Sequence, residues 1–331
     1  MTRLCALTLL LAVSLPLLAN QETSQRYLLV RDANRSKIEK ALNAAGTQGF
    51  AWVGGDSGIR IGFAGLPGVA LVLRRIDNTT HAYKVLQPNR NALQKELAEA
   101  GSQGFKLLPD GILQGSQYPT LVLERQPGGA PVTYTTVRVK DNDQIKSEGA
   151  INDARRKGAA IVGLMRISSD FDVILEGGAP AANDDRRYRI ISIKRQSTLE
   201  RELSEAATEG FRLILSSKTS ILLERPADDA VRREYRLVAT TRATTAVREL
   251  TATSSEGFRI VDVPPMGGTE FTFVLERTAG ARERYEYRIE PLQSEEQFDA
   301  QMSAAELDDF RPSRVIERFV LFERTIVPGS L

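Results

Sequence analysis

A chain of 331 residues with 44 Lys+Arg against 42 Asp+Glu, one Cys, one His and one Trp excludes more chemistry than it identifies. The lone histidine, His81, builds neither a multi-histidine zinc site nor a two-histidine relay, so no cofactor or metal is expected. A net charge of +2 supplies no bulk basicity for nucleic acid or anionic lipid.

In chain order, Met1 to Ala19 reads as a secretory signal: Arg3 in a short start, an apolar run from Leu4 to Leu15, and a small residue at the cut. Cleavage is expected after Ala19. The only cysteine, Cys5, then leaves with the signal, and Asn20 stands where a lipoprotein would need a cysteine. The mature product has no disulfide, and no later stretch approaches the ~20 apolar residues of a membrane span. The localisation implied is periplasmic or secreted.

The rest is one unit repeated. A tyrosine opens an apolar strand at Tyr27, Tyr83, Tyr134, Tyr188, Tyr235 and Tyr287, at spacings of 56, 51, 54, 47 and 52 residues. Phenylalanine follows 22 or 23 positions later in five copies, as Phe50, Phe105, Phe211, Phe258 and Phe310; Ala159 stands near that place in the third. Four of these follow a glycine: Gly49, Gly104, Gly210 and Gly257. Glycine just past a last helical turn can take the left-handed conformation, and the apolar residue after it folds back on the helix. Each copy closes on an apolar strand, usually with a Glu-Arg pair.

The fourth copy shows the local signals most plainly. Tyr188–Ile193 is a β-branched run, Ser197 or Thr198 is a candidate N-cap, and Leu199, Leu203, Ala206 and Ala207 form a helical stripe ending at Gly210. Two strands follow, separated by a turn over 216–220. The predicted fold is therefore α+β: six tandem βαββ repeats with antiparallel sheets, each carrying one helix, over 26–75, 82–125, 133–176, 187–225, 234–277 and 286–325. The residue after the tyrosine is basic in four copies (Lys84, Arg189, Arg236, Arg288), and the same copies place Glu124, Glu224, Glu276 and Glu323 before the closing arginine. If these charges pair across strands, the third strand lies between the other two. A unit this small gains from packing its free sheet face on a neighbour. The loose stretch Gly177–Asp185 suggests a three-plus-three division; pairing of consecutive units is the alternative.

A tyrosine-led strand, Leu42-Asn43 near the helix end, Gly49-Phe50 and a closing strand ending in Arg74-Arg75 resemble a small bacterial domain-of-unknown-function family. That family favours Trp where this chain has Phe, and the sixth copy replaces the glycine by Asp309. The resemblance implies a βαββ module and carries no activity.

Candidate chemistry is thin. His81 reads as a surface linker residue without catalytic partners. The glycine-rich stretch Gly54–Gly68 lacks a P-loop ending and follows the helix, so it reads as a long hairpin, as do 109–119 and 263–270. The strand-end arginines Arg75, Arg125, Arg225, Arg277 and Arg324 offer a surface row for a polyanion; solvated ends paired with glutamates are the simpler reading. The Asp-Asp pairs at 184–185, 228–229 and 308–309 read as solubilising or capping residues. Because the recurrent residues all have structural explanations, a non-catalytic module binding another envelope or extracellular protein is expected. A hydrolase or lyase on an extracellular polymer, and a carrier of an apolar ligand between sheets, are the alternatives.

Overall fold

The structure is a computed structural model. It describes residues 25–326 apart from 62–65, 77–78, 90, 114–118, 140–143, 168–169, 182–185, 194–195, 218–219, 227–230, 265–269, 282 and 317, so the stretch Met1 to Ala19 read as a signal, Cys5 within it and the first two Asp-Asp pairs lie outside the described residues. Six βαββ units follow one another. The first is β1 (Tyr27–Asp32), α1 (Arg35–Thr47), β2 (Phe50–Ile61) and β3 (Leu66–Arg75). The second is β4 (Ala82–Leu86), α2 (Leu93–Ser102), β5 (Lys106–Leu113) and β6 (Thr120–Arg125). The third is β7 (Tyr134–Val139), α3 (Gln144–Arg156), β8 (Ala159–Ile167) and β9 (Asp170–Gly177). The fourth is β10 (Arg187–Ser192), α4 (Gln196–Thr208), β11 (Arg212–Ser217) and β12 (Ser220–Arg225). The fifth is β13 (Arg233–Thr240), α5 (Ala243–Ser255), β14 (Arg259–Asp262) and β15 (Phe271–Thr278); the sixth is β16 (Arg284–Pro291), α6 (Glu295–Leu307), β17 (Arg311–Ile316) and β18 (Phe319–Ile326). Because α4 begins at Gln196, Ser197 and Thr198 lie inside the helix and cannot be its N-cap.

Every sheet is antiparallel with its third strand in the centre, as expected. The charge pairing from which that order was inferred is not what the register shows. Tyr83 lies opposite Glu124 and Lys84 opposite Leu123; Tyr188, Tyr235 and Tyr287 face Glu224, Glu276 and Glu323 in the same way. One position along a strand is the opposite face, so the basic residues and the glutamates point away from each other.

The units close into a ring. Each helix lies between its own sheet and the outer face of the next, so each core is shared: Leu42 and Phe50 of the first unit pack with Tyr83, Val85 and Val122 of the second. The pattern recurs at every joint and returns to the start, where Phe298, Met302 and Phe322 of the sixth unit pack with Tyr27, Leu29 and Val72 of the first. With both faces covered, the central strands carry unbroken apolar runs, such as Leu121-Val122-Leu123 and Val173-Ile174-Leu175. The second strands face one another around the axis, β2 against β5 and β17, β8 against β5 and β11. A bulge begins two residues after the Phe position in all six, between Trp52 and Gly54 in the first and between Pro312 and Arg314 in the last, and bends each strand inward. Neither separate triplets nor separate pairs describe this arrangement.

The first strand of each sheet is an edge whose backbone needs partners. The preceding helix supplies them through side chains. Asn43 Nδ2 donates to the Tyr83 carbonyl and Oδ1 accepts from the Tyr83 N–H, each at 2.9 Å. Glu39 accepts from Val85 N, Gln94 from Thr136 N and Glu200 from Leu237 N, all at 2.8 Å. Asp299 accepts from Arg26 N and Tyr27 N at 2.8 and 2.6 Å.

Candidate functional site

The repeated residues assemble at one end of each unit. Gly49, Gly104, Gly158, Gly210 and Gly257 all have φ between 81 and 89°, and Asp309 takes 62° in the sixth unit. This turn delivers the phenylalanine to the buried side of its own helix, where Phe50, Phe105, Phe211, Phe258 and Phe310 are buried. The closing arginine covers each ring. Arg75, Arg125, Arg225, Arg277 and Arg324 place Cζ 4.8, 4.9, 5.3, 4.6 and 4.6 Å from the centroid of the Phe in their own unit. Four of these arginines also donate from Nη1 to the carbonyl just past the helix end, at Gln103, Glu209, Glu256 and Asp308, offsetting the orphan carbonyls there.

A second cation lies over the same ring. Lys84, Arg189, Arg236 and Arg288 sit 5.6, 4.5, 5.6 and 4.1 Å from the same rings. This accounts for the basic residue that follows the tyrosine: it is a second cation on the phenylalanine ring rather than a member of a cross-strand pair. The third unit loses the set together, with Ala159, Thr135 and Gly177 at the three positions. A side chain at Gly177 would meet Thr133 Oγ1 at 2.1 Å. The arginine row is thus built into helix ends and ring lids, and two of its members carry carboxylate partners as well, Glu234 on Arg277 and Glu286 on Arg324.

The tyrosines are latches between units. The Tyr134, Tyr235 and Tyr287 hydroxyls accept from the N–H of Leu107, Leu213 and Ile260, each two residues past the phenylalanine position of the preceding unit, at 2.7, 2.9 and 2.9 Å. The Tyr83 hydroxyl instead donates to the Phe50 carbonyl of the preceding unit at 3.1 Å. Tyr134 and Tyr235 donate onward to Glu176 and Glu276 at 2.8 and 2.6 Å. Burial pushes all six phenols above their ordinary range, Tyr188 to about 12, so each stays a neutral donor and acceptor. Tyr27 differs: the position it would engage is Pro312, which has no N–H, and its hydroxyl donates instead to Glu306 at 2.5 Å.

On the axis, Arg314 of β17 reaches Asp110 of the second unit at 3.1 Å and Asp262 of the fifth at 3.7 Å. Asp262 is buried, and desolvation raises its carboxyl above the ordinary value although Arg314 opposes the shift. His81 is buried rather than exposed: its backbone N–H binds Gly46 O at 3.0 Å, and its Nδ1 is paired with Glu124. It adjoins a shallow depression of about 470 Å³ that also takes in Asn43, Gln103 and Arg125. Among the described residues no three His, Cys, Asp or Glu side chains stand together as a metal site.

The glycine-rich stretch of the first unit forms a projecting hairpin. From the common pair Trp52–Leu73 its ladder runs to Ile61–Leu66, seven residues along the third strand, whereas the ladder of the fourth unit runs only three, from Leu213–Leu223 to Ser217–Ser220. The difference extends the hairpin by roughly 13 Å at about 3.3 Å per residue. The tips of the other two long hairpins lie at 114–118 and 265–269, outside the described residues.

Sequence reasoning missed the edge-covering residues. A signal for them exists: Glu39, Gln94, Glu200 and Asp299 stand twelve, eleven, twelve and twelve residues after their opening tyrosines. No family model, curated protein or solved structure matches the chain.

Proposed function

We propose that this chain is an exported, non-catalytic scaffold that binds another envelope or extracellular protein through the projecting hairpin of its first unit. The hairpin carries the reading, because it breaks the sixfold pattern while the repeated polar residues are engaged inside the joints. Unpaired outer strand edges on such an arm suit addition of a partner strand. The described cations are largely occupied by rings, helix ends and carboxylates, which disfavours a nucleic-acid partner. Among the described residues no helix is long and apolar enough to cross a membrane.

A photo-crosslinking residue at Arg60, on the arm, is expected to yield one discrete adduct in the envelope fraction. The same probe at Ala98, on α2, should yield none. Replacing residues 57–67 by a two-residue turn should abolish co-purification of that partner. Absence of an adduct at Arg60, or retention of the partner by the trimmed chain, contradicts the proposal. Export is tested by sequencing the mature N-terminus, which should begin at Asn20.

A further inference from the structure

We infer that the ring is a hinged clasp of two three-unit halves, opening between the sixth and first units and pivoting between the third and fourth. The inference rests on the joints rather than on the projecting hairpin. Four of the six joints carry a tyrosine latch to the backbone of the preceding unit's second strand, at a carbonyl from first to second and at an N–H from second to third, fourth to fifth and fifth to sixth. The two that depart from it lie opposite each other.

At the joint between the third and fourth units, the Tyr188 hydroxyl has the Arg155 guanidinium beside it, and among the described residues no hydrogen bond joins it to β8. The preceding unit has no phenylalanine–cation stack there, and its linker, nine residues from 178 to 186, is longer than the other four, which span five to eight. What remains suits a pivot: Asn152 binds the Arg186 backbone at 2.7 and 3.0 Å, and Glu148 is paired with Arg187.

At the joint between the sixth and first units no linker runs across, and Pro312 removes the latch. An ionic clasp replaces it. Glu306 accepts from Arg26 at 2.8 Å, Arg74 at 3.1 Å and Tyr27 at 2.5 Å, while Arg31 reaches Gln293 O at 3.0 Å. The other ties across the opening are the Asp299 bonds to Arg26 N and Tyr27 N, the shared core around Met302, the contact of β17 with β2, and the axial pair of Arg314 with Asp110. Opening is therefore a hinge motion: few residues absorb it, and packing within each half is kept.

The test is an inter-spin distance between Ala98→Cys on α2 and Thr251→Cys on α5, both exposed and in opposite halves, in a chain carrying Cys5→Ser. The parent should give a narrow distribution, and Glu306→Arg, which places a third cation beside Arg26 and Arg74, should shift it to a longer population. Glu306→Gln, which keeps an acceptor for Tyr27, should shift it less in the same direction, so the test survives misfolding of the arginine variant. Pro312→Leu, which supplies the missing N–H, should move the Glu306→Gln distribution back. Tyr235→Phe, at a latched joint inside one half, should leave the distance unchanged. Faster hydrogen exchange in β1 and α6 with the distance unmoved would mean fraying of chain ends and would overturn the clasp. So would a shift of equal size from Tyr235→Phe.

Discussion

The stack around Phe258 makes the sharpest energetic prediction. Its ring is fully buried, with Arg277 at 4.6 Å and Arg236 at 5.6 Å from its centroid. The perturbation is a double-mutant cycle between Phe258→Leu, which keeps an apolar side chain but removes the π face, and the paired change Arg236→Met with Arg277→Met, which keeps the stems but removes the charges. Each cation–ring contact at a partly exposed site is worth about 0.5–1 kcal/mol, so the two together should couple by about 1–2 kcal/mol. Loss of the Arg277 hydrogen bond to Glu256 O and of its ion pair with Glu234 occurs in both arginine-deleted corners and cancels in the cycle. Urea unfolding followed by circular dichroism measures the four stabilities. Additivity within about 0.4 kcal/mol, the usual scatter for independent sites, would refute the stack and return these arginines to ordinary solvated strand ends.

Other expectations follow from single positions. Asp309 holds φ at 62°, so Asp309→Gly should gain about 0.5–1 kcal/mol, the relief of left-handed strain less the added entropy of the unfolded chain, and an unchanged urea midpoint would contradict it. Asn43→Ala strips both partners from the Tyr83 backbone and should cost about 1–3 kcal/mol; a cost near zero would show that water covers this edge equally well. Burial raises the Asp262 carboxyl above 3.8, so the folded chain binds that proton more tightly than the unfolded one and stability falls as pH climbs from about 4 through the folded value. Asp262→Asn should thus be more stable than the parent at pH 7, with the gap closing as the pH is lowered to about 4. A variant destabilised at pH 7 would mean that pairing with Arg314 outweighs burial.

Local structure was largely legible because the repeat averages out noise: tyrosine, glycine and phenylalanine recur at nearly fixed offsets, and each marks an element boundary. Strand order was also recovered, although through a covariation whose cause lies elsewhere. Lys84 accompanies Glu124 in sequence, but the register puts the two on opposite faces and Lys84 lies with Arg125 on Phe105; a sequence shows that two residues accompany one another without showing what each one touches. Ring closure was not legible. Nothing in the spacing of six copies distinguishes a chain of units from a circle, since the apolar face of α6 that meets β1 follows the same helical pattern as the faces that meet the next unit at the other joints. His81 was misplaced for a related reason: in a linker it looks solvated, and only the packing of that linker on the end of α1 buries it.

The claim on which the rest depends is that the sixth unit packs on the first. Met302 is one of four methionines and lies in the core shared with Tyr27, Leu29 and Val72. With methyl-labelled methionine, nuclear Overhauser contacts from the Met302 methyl to side chains of the first unit, more than two hundred residues earlier in the chain, are the result expected of a closed ring. Contacts confined to Phe298 and other residues of the sixth unit would show that the ring does not close.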